Sequence, residues 1–203
     1  MKTIIIGLTG PSGAGKSIVS QVADEFNISV IDADKLSHNV TKNNLQCIAK
    51  LSETFGPQIL NPDGSINRKA LADIAFSSQK NTNLLNNATH PFIKVELLRH
   101  IEEVRKQKPT AIILDAPTLF ESGCDNICDT VISILAPTEI RLKRIIARDK
   151  ISKTDALARI NAGKSDNYYI ERSNYIIMND TTKEQYFEKL TEVFKQIIKT
   201  GGC

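Results

Sequence analysis

The sequence predicts an α/β fold built on a five-stranded parallel sheet, and three observations predict it. Short runs rich in β-branched residues recur at 4–6, 28–31, 111–114, 130–135 and 175–178. Between them lie segments whose apolar residues return at helical spacing, the alternation that gives a parallel sheet with helices on both faces. Between the first run and the first helix, residues 10–17 read GPSGAGKS and fit the phosphate-loop template G-x-x-x-x-G-K-[ST] at every fixed position.

Each element follows in order. Ile4, Ile5 and Ile6 make a buried strand, and Ile18, Val19, Val22, Ala23 and Phe26 mark the helix after the loop. The second strand, 28–31, ends in Asp32-Ala33-Asp34, and a helical stretch runs from about 35 through 55. Gly56-Pro57 and the segment Asn61-Pro62-Asp63-Gly64 break it. Residues 68–106 read as almost wholly helical, with an interruption near Asn86 and Asn87 before His90-Pro91. The third strand, 111–114, is nearly continuously apolar and closes in Asp115-Ala116-Pro117. The fourth, 130–135, leads to Pro137 in the first turn of a basic helix carrying Arg141, Lys143, Arg144 and Arg148. Residues 149–170 are polar and poor in large apolar groups. A fifth strand at 175–178 precedes Asn179-Asp180, and Thr182 is placed to cap a final amphipathic helix with Phe187, Leu190, Val193, Phe194 and Ile197 on its apolar side. This is the plan of a P-loop kinase: one domain over 1–203, with a helical insertion at about 35–106 and a mobile lid at about 144–170.

Composition bounds the partners. With 203 residues the chain can bury one sizeable core, and 41% hydrophobic with 24% charged residues is the mix of a soluble globular domain. A net charge of +3 is too small to argue for nucleic acid but suits phosphate ligands. No apolar run reaches membrane length and no signal pattern precedes the first strand, so a cytoplasmic protein without a membrane partner is expected. Of the four cysteines, Cys124 and Cys128 lack the second Cys/His pair a zinc site needs; Cys47 reads as a free thiol and Cys203 as part of a frayed tail.

The loop predicts nucleoside triphosphate binding. Its glycines let backbone N–H groups turn toward phosphate oxygens, helped by the helix N-terminus, so Gly10, Gly13, Ala14, Gly15, Lys16, Ser17 and Ile18 form the cradle for the triphosphate. Lys16 would reach the β- and γ-phosphates, and the Ser17 hydroxyl would hold Mg²⁺. Asp32 and Asp34, on an extended segment, would point the same way from the end of the second strand, where doubly wound sheets bind ligands. A carboxylate there serves either as base for an attacking hydroxyl or as a helix cap, and Asp34 suits both roles. Asp115 stands where an acid of the metal site would stand, or is a turn residue before Pro117. Arg141, Arg144 and Arg148 share one helix face, either as lid arginines that close onto the phosphates or as a solvated basic surface.

Taken together, these motifs resemble the dephospho-coenzyme A kinase family. The resemblance rests on Gly7-Leu8-Thr9-Gly10, Asp32-Ala33-Asp34, the stretch from Gly64 through Ile66 and Arg68 to Leu71, His90-Pro91, Pro117-Thr118-Leu119-Phe120-Glu121, Arg144 and Arg148 leading to Ala158-Arg159-Ile160, and Ile177 with Asn179. It runs from about residue 3 to 195. The resemblance implies a transferase that moves the ATP γ-phosphoryl to the ribose 3′-hydroxyl of dephospho-coenzyme A, the last step of coenzyme A biosynthesis. It implies Asp34 as general base, with Lys16 and Arg144 stabilising the transferred group. By the same resemblance Arg148 and Asn179 attend the nucleotide, Asn179 near the adenine, and Thr9, His90, Phe120 and Glu121 contact the acceptor. His90 could instead be a structural turn residue. Ser17 and Asp115 would hold the metal, and the enzyme would be a monomer or weak homo-oligomer.

Pro11 and Ser12 replace the family's usual loop residues, Thr118 replaces a leucine, and Gly163 stands where a glutamine is common. The loop as spelled here is that of guanylate kinases, so a nucleoside monophosphate kinase is the second reading. A P-loop ATPase or switch is the third; it leaves the arginines and the Asp32/Asp34 strand end unexplained.

Overall fold

The computed structural model describes residues 3–201, so Cys203 lies outside the described residues. Strand β1 (Ile4–Thr9) is followed by the phosphate loop, a 3₁₀ turn (Lys16–Ile18) and helix α1 (Val19–Glu25). Then come β2 (Ile28–Asp32), α2 (Ala33–Asn43), α3 (Leu45–Phe55), α4 (Arg68–Ala75) and α5 (Gln79–Arg105). The second half runs β3 (Ala111–Asp115), β4 (Thr130–Leu135), α6 (Thr138–Asp149), α7 (Lys153–Asn161), α8 (Asp166–Ile170), β5 (Tyr175–Met178) and α9 (Lys183–Gly201). All five predicted strands form, in the sheet order β2-β3-β1-β4-β5. β1 lies at the centre, parallel to β3 with Leu8 opposite Asp115, and parallel to β4 with Thr9 opposite Ser133.

The chain divides into two compact units. One comprises the residues up to Ile31 and those from Val104 onward. Its core joins Ile6, Leu8, Ile113, Ile132 and Ile134 of the sheet to Val19 and Val22 of α1 and to Tyr186, Leu190, Phe194 and Ile197 of α9. Leu190, Phe194 and Ile197 were expected on that side; Tyr186 is an addition. Thr182 caps α9, its hydroxyl accepting from the Gln185 N–H. A smaller cluster of Ile145, Ala156 and Ile160 ties α6 to α7, within the segment whose composition reads as merely polar. Ser152 and Ser165 start α7 and α8 there by accepting from backbone N–H groups.

The other unit, Asp32–Glu103, is helical. The stretch read as one helix through 55 is two, because the Asn44 side chain accepts from the Cys47 N–H and caps α3. The cap of α2 is Asp32, whose carboxylate accepts from the Lys35 N–H at 2.9 Å. The helix therefore begins at Ala33, so Asp32 and Asp34 do not share a strand face and Asp34 sits in the first helical turn. The break expected near Asn86 and Asn87 falls instead at 76–78, where the Ser78 hydroxyl accepts from the Asn81 N–H. α5 runs unbroken through Pro91, which makes His90 a mid-helix residue and not a turn residue.

Candidate active site

The phosphate loop leaves β1 and wraps a cavity of about 510 Å³ lined by Gly10 through Ile18, Pro117, Arg144, Arg148 and Asn179. The loop needs its glycines. Gly15 has φ 95°, and a Cβ there would be driven into the Asn179 amide and lie 3.1 Å from Arg144 Nη1. Gly10, at φ 142°, passes so close to the Ile134 backbone that a Cβ would collide with its carbonyl oxygen. The turn closes through the Ala14 N–H, which donates to the Pro11 carbonyl at 3.1 Å. Pro11 itself is buried. Lys16 Nζ is half-buried and donates to the Gly10 carbonyl at 3.4 Å, across the mouth of the loop. Ser17 is exposed.

α6 supplies the second wall, and all three arginines on its shared face reach the loop. Arg141 is buried; its Nε donates to the Ser12 carbonyl at 3.1 Å and its Nη1 lies 3.5 Å from Asp166. Arg144 Nη1 donates to the carbonyls of Gly13 at 3.3 Å and Ala14 at 3.0 Å, and its Nη2 donates to Asn179 Oδ1 at 3.1 Å. Arg148 Nη2 donates to the Ser12 hydroxyl at 3.4 Å while its Nε pairs with Asp149. Here the arginines meet the loop without any closure. Asn179 follows β5, is buried, and donates through Nδ2 to the Ala14 carbonyl at 2.8 Å.

Thr9, Asp115, Phe120 and Glu121 belong to the same unit as the loop. Thr9 is buried and its hydroxyl donates to the Pro117 carbonyl at 3.1 Å, tying the end of β1 to the segment after β3. Asp115 ends β3, opposite Leu8 and two residues before Pro117 of the cavity wall. Phe120 packs edge-on against Tyr168 at 5.8 Å and tilted against Tyr169 at 6.5 Å. Burial, reinforced by the Glu121 carboxylate, pushes the Tyr169 phenol up to about 12. Arg172 and Lys164 both lie over the Tyr168 ring. Asp34 and His90 belong to the helical unit, Asp34 exposed in the first turn of α2 and His90 half-buried in α5, where burial lowers its pKa below the usual histidine value.

The sequence names Ser12 in the loop and Pro117 after β3 without showing what they contact, and it gives Tyr186 no role at the site. Tyr186 had a signal: it lies one turn before Leu190 on the apolar side of α9. Its hydroxyl donates to the Gly15 carbonyl at 3.3 Å. No cluster of three or more His, Cys, Asp or Glu side chains suited to a metal occurs among the described residues. Cys47, Cys124 and Cys128 are free thiols there. The Cys128 thiol, pushed up to about 12 mainly by burial, donates to the Cys124 carbonyl.

The family model for dephospho-CoA kinase matches residues 4–185. The chain belongs to the dephospho-CoA kinase family. A dephospho-CoA kinase of Fusobacterium nucleatum is 36% identical over 94% of this chain and 96% of its own length. One from Latilactobacillus sakei is 32% identical over 98% of both. Among solved structures, dephospho-CoA kinase from Campylobacter jejuni superposes with a TM-score of 0.71 at 29% identity, covering 97% of this chain and 98% of that one. The chain is thus a kinase, with the α/β plan of five parallel strands read from its sequence. Within the dephospho-CoA kinase family, the loop spelled with Pro11 and Ser12 is a variant and not the mark of a guanylate kinase. No helix of the described residues is long and apolar enough to cross a membrane.

Proposed function

We propose that the chain transfers the γ-phosphoryl of ATP to the ribose 3′-hydroxyl of dephospho-CoA, forming CoA and ADP. The observation that carries this reading is the phosphate loop walled by Arg144 and Arg148, in a chain whose family match extends over residues 4–185. Loop N–H groups and Lys16 bind the triphosphate, and the guanidiniums of Arg144 and Arg148 stabilise charge spreading over the moving phosphoryl group. Asp34 accepts the proton of the 3′-hydroxyl as that oxygen attacks in line. Its support is its place just past β2, together with the capping of α2 by Asp32, which removes the structural role Asp34 was expected to share. Asn179 keeps Arg144 and the loop aligned beside the nucleotide.

The helical residues at about 35–106 form the acceptor lobe, residues at about 144–170 the lid, and Thr9, His90, Phe120 and Glu121 shape the acceptor side. Mg²⁺ fits the donor set: Ser17 and Asp115 offer a hydroxyl and one carboxylate, and this ion takes few protein oxygens alongside substrate phosphates. When bound it neutralises charge between the β- and γ-phosphates. We further assign the enzyme to the cytoplasm as a monomer or weak homo-oligomer acting on small molecules.

The nucleoside monophosphate kinase that the loop's spelling suggests is opposed by the family match over residues 4–185. Its acceptor lobe would need arginines for an acceptor phosphate. Residues 35–100 hold only Arg68 and Arg99, and Arg99 is engaged by Glu96 and Glu103. The deciding measurement is ADP release from Mg·ATP with dephospho-CoA, GMP, AMP or no acceptor. Turnover confined to dephospho-CoA, with CoA detected by mass, is expected; turnover of a monophosphate, or without any acceptor, overturns the proposal.

A further inference from the structure

Tyr186 on α9 has no accessible surface, and its ring belongs to the same core as Val19, Val22, Leu190 and Phe194. A phenylalanine would fill that space without having to satisfy a buried hydroxyl, so the hydroxyl is what requires explanation. It donates to the Gly15 carbonyl at 3.3 Å. One peptide earlier, the Ala14 carbonyl accepts from Asn179 Nδ2 at 2.8 Å and Arg144 Nη1 at 3.0 Å. Two successive carbonyls of the loop are therefore held by side chains, that of Ala14 from the cavity wall by Arg144 and Asn179, and that of Gly15 from the core by Tyr186.

In a trans peptide the C=O and the next N–H point in opposite directions. With the Gly15 carbonyl held toward the core by Tyr186, the Lys16 N–H of the same peptide points the opposite way, toward the side where a phosphate needs donors. The two peptides flank a left-handed residue, Gly15 at φ 95°, which by itself has wide conformational freedom. These hydrogen bonds remove that freedom before the nucleotide arrives. We infer that Tyr186 is a positioning residue of the phosphate loop, its buried hydroxyl fixing the Gly15–Lys16 peptide in the orientation that binds the triphosphate. This inference rests on the proposed reading of the loop as the ATP site.

The test compares Tyr186→Phe, which removes only the hydroxyl, with Phe194→Leu, which loosens the same core without touching the loop. Binding of a non-hydrolysable ATP analogue with Mg²⁺ is measured by calorimetry, with KM for both substrates and Tm alongside. Tyr186→Phe is expected to weaken ATP binding and raise its KM by about three- to tenfold, the effect of one lost hydrogen bond, with the KM for dephospho-CoA and the Tm nearly unchanged. Phe194→Leu is expected to lower Tm and leave ATP affinity as it was. Unchanged ATP affinity in Tyr186→Phe overturns the inference. So does failure of that variant to fold, or an equal loss of ATP affinity in Phe194→Leu. A wild-type protein that binds ATP but does not turn over dephospho-CoA would sink the proposed function while the binding comparison still judged Tyr186.

Discussion

Asp32 and Asp34 stand two residues apart, and only Asp32 takes the cap of α2; Asp34 is the proposed base. Asp32 caps α2, so Asp32→Ala is expected to cost about 1 kcal/mol of stability and to lower Tm with little change in turnover. Asp34→Asn leaves that cap in place and is expected to lower kcat by about 10²–10⁴, with ATP affinity retained in calorimetry. Near wild-type turnover of Asp34→Asn would remove it as the base. At Gly15 the issue is space as well as φ: an alanine would press on Asn179 and Arg144 together, the groups that hold the Ala14 carbonyl. Gly15→Ala should therefore lose ATP binding far more than fold stability, which titration calorimetry and a thermal melt on the same sample would separate.

Among the elements, α5 and the α6–α7 pair carry the clearest expectations. Pro91 sits inside α5, where its ring removes one helical hydrogen bond and crowds the preceding turn. Pro91→Ala is expected to raise stability by about 1 kcal/mol or more, read as a shift in the denaturation midpoint. A lowered midpoint would mean that the proline ring at 91 is needed for packing. α7 is held to α6 by Ile145, Ala156 and Ile160 and starts at the Ser152 cap. In the same hairpin Asp149 is paired with both Arg148 and Arg159. The two arginines are exposed and Asp149 is half-buried, so these pairs contribute little to stability individually. Their use is to set where Arg148 lies beside the loop.

For the molecule as a whole, placing β1 between β3 and β4 in parallel brings the loop, the Asp115 strand end and the start of α6 to the carboxyl end of the strands. Nucleotide binding to this preformed unit should stabilise it by mass action, about 2.7 kcal/mol when Mg·ATP is at a hundred times its Kd. A thermal melt should show that shift in the wild type and lose it in Lys16→Ala. Acid should act in the opposite direction through His90. Its folded-state pKa lies below the unfolded value because burial disfavours the imidazolium, so the unfolded chain binds the proton more readily. Stability from this group is intact above the unfolded pKa of about 6.5 and falls as pH drops through that value toward the folded one. Tm measured between pH 7.5 and 5.5 should decline, and less steeply in His90→Gln.

The strands, the loop and the amphipathic side of α9 were legible because their information is local. A β-branched run, a glycine spacing and a 3.6-residue repeat are each written within a dozen residues. The motif set carried the family for the same reason. What the sequence could not give were choices between neighbours with equal propensity. It could not say that Asp32 rather than Asp34 would cap, that Asn44 would divide a helix, or that α5 would run on through Pro91. Each depends on which backbone conformation the packed chain adopts at one or two residues, and local propensity differences there are smaller than tertiary contact energies. The grip on the loop was beyond reach for a stronger reason. Tyr186 lies 171 residues from Gly15 and Asn179 lies 165 from Ala14, and only the parallel sheet, with α9 laid against it, brings them together. The sequence by itself determined the sheet, the phosphate loop and the family; the tertiary structure decided which side chains hold that loop, because a hydrogen bond requires a place and a direction that spacing along the chain does not contain.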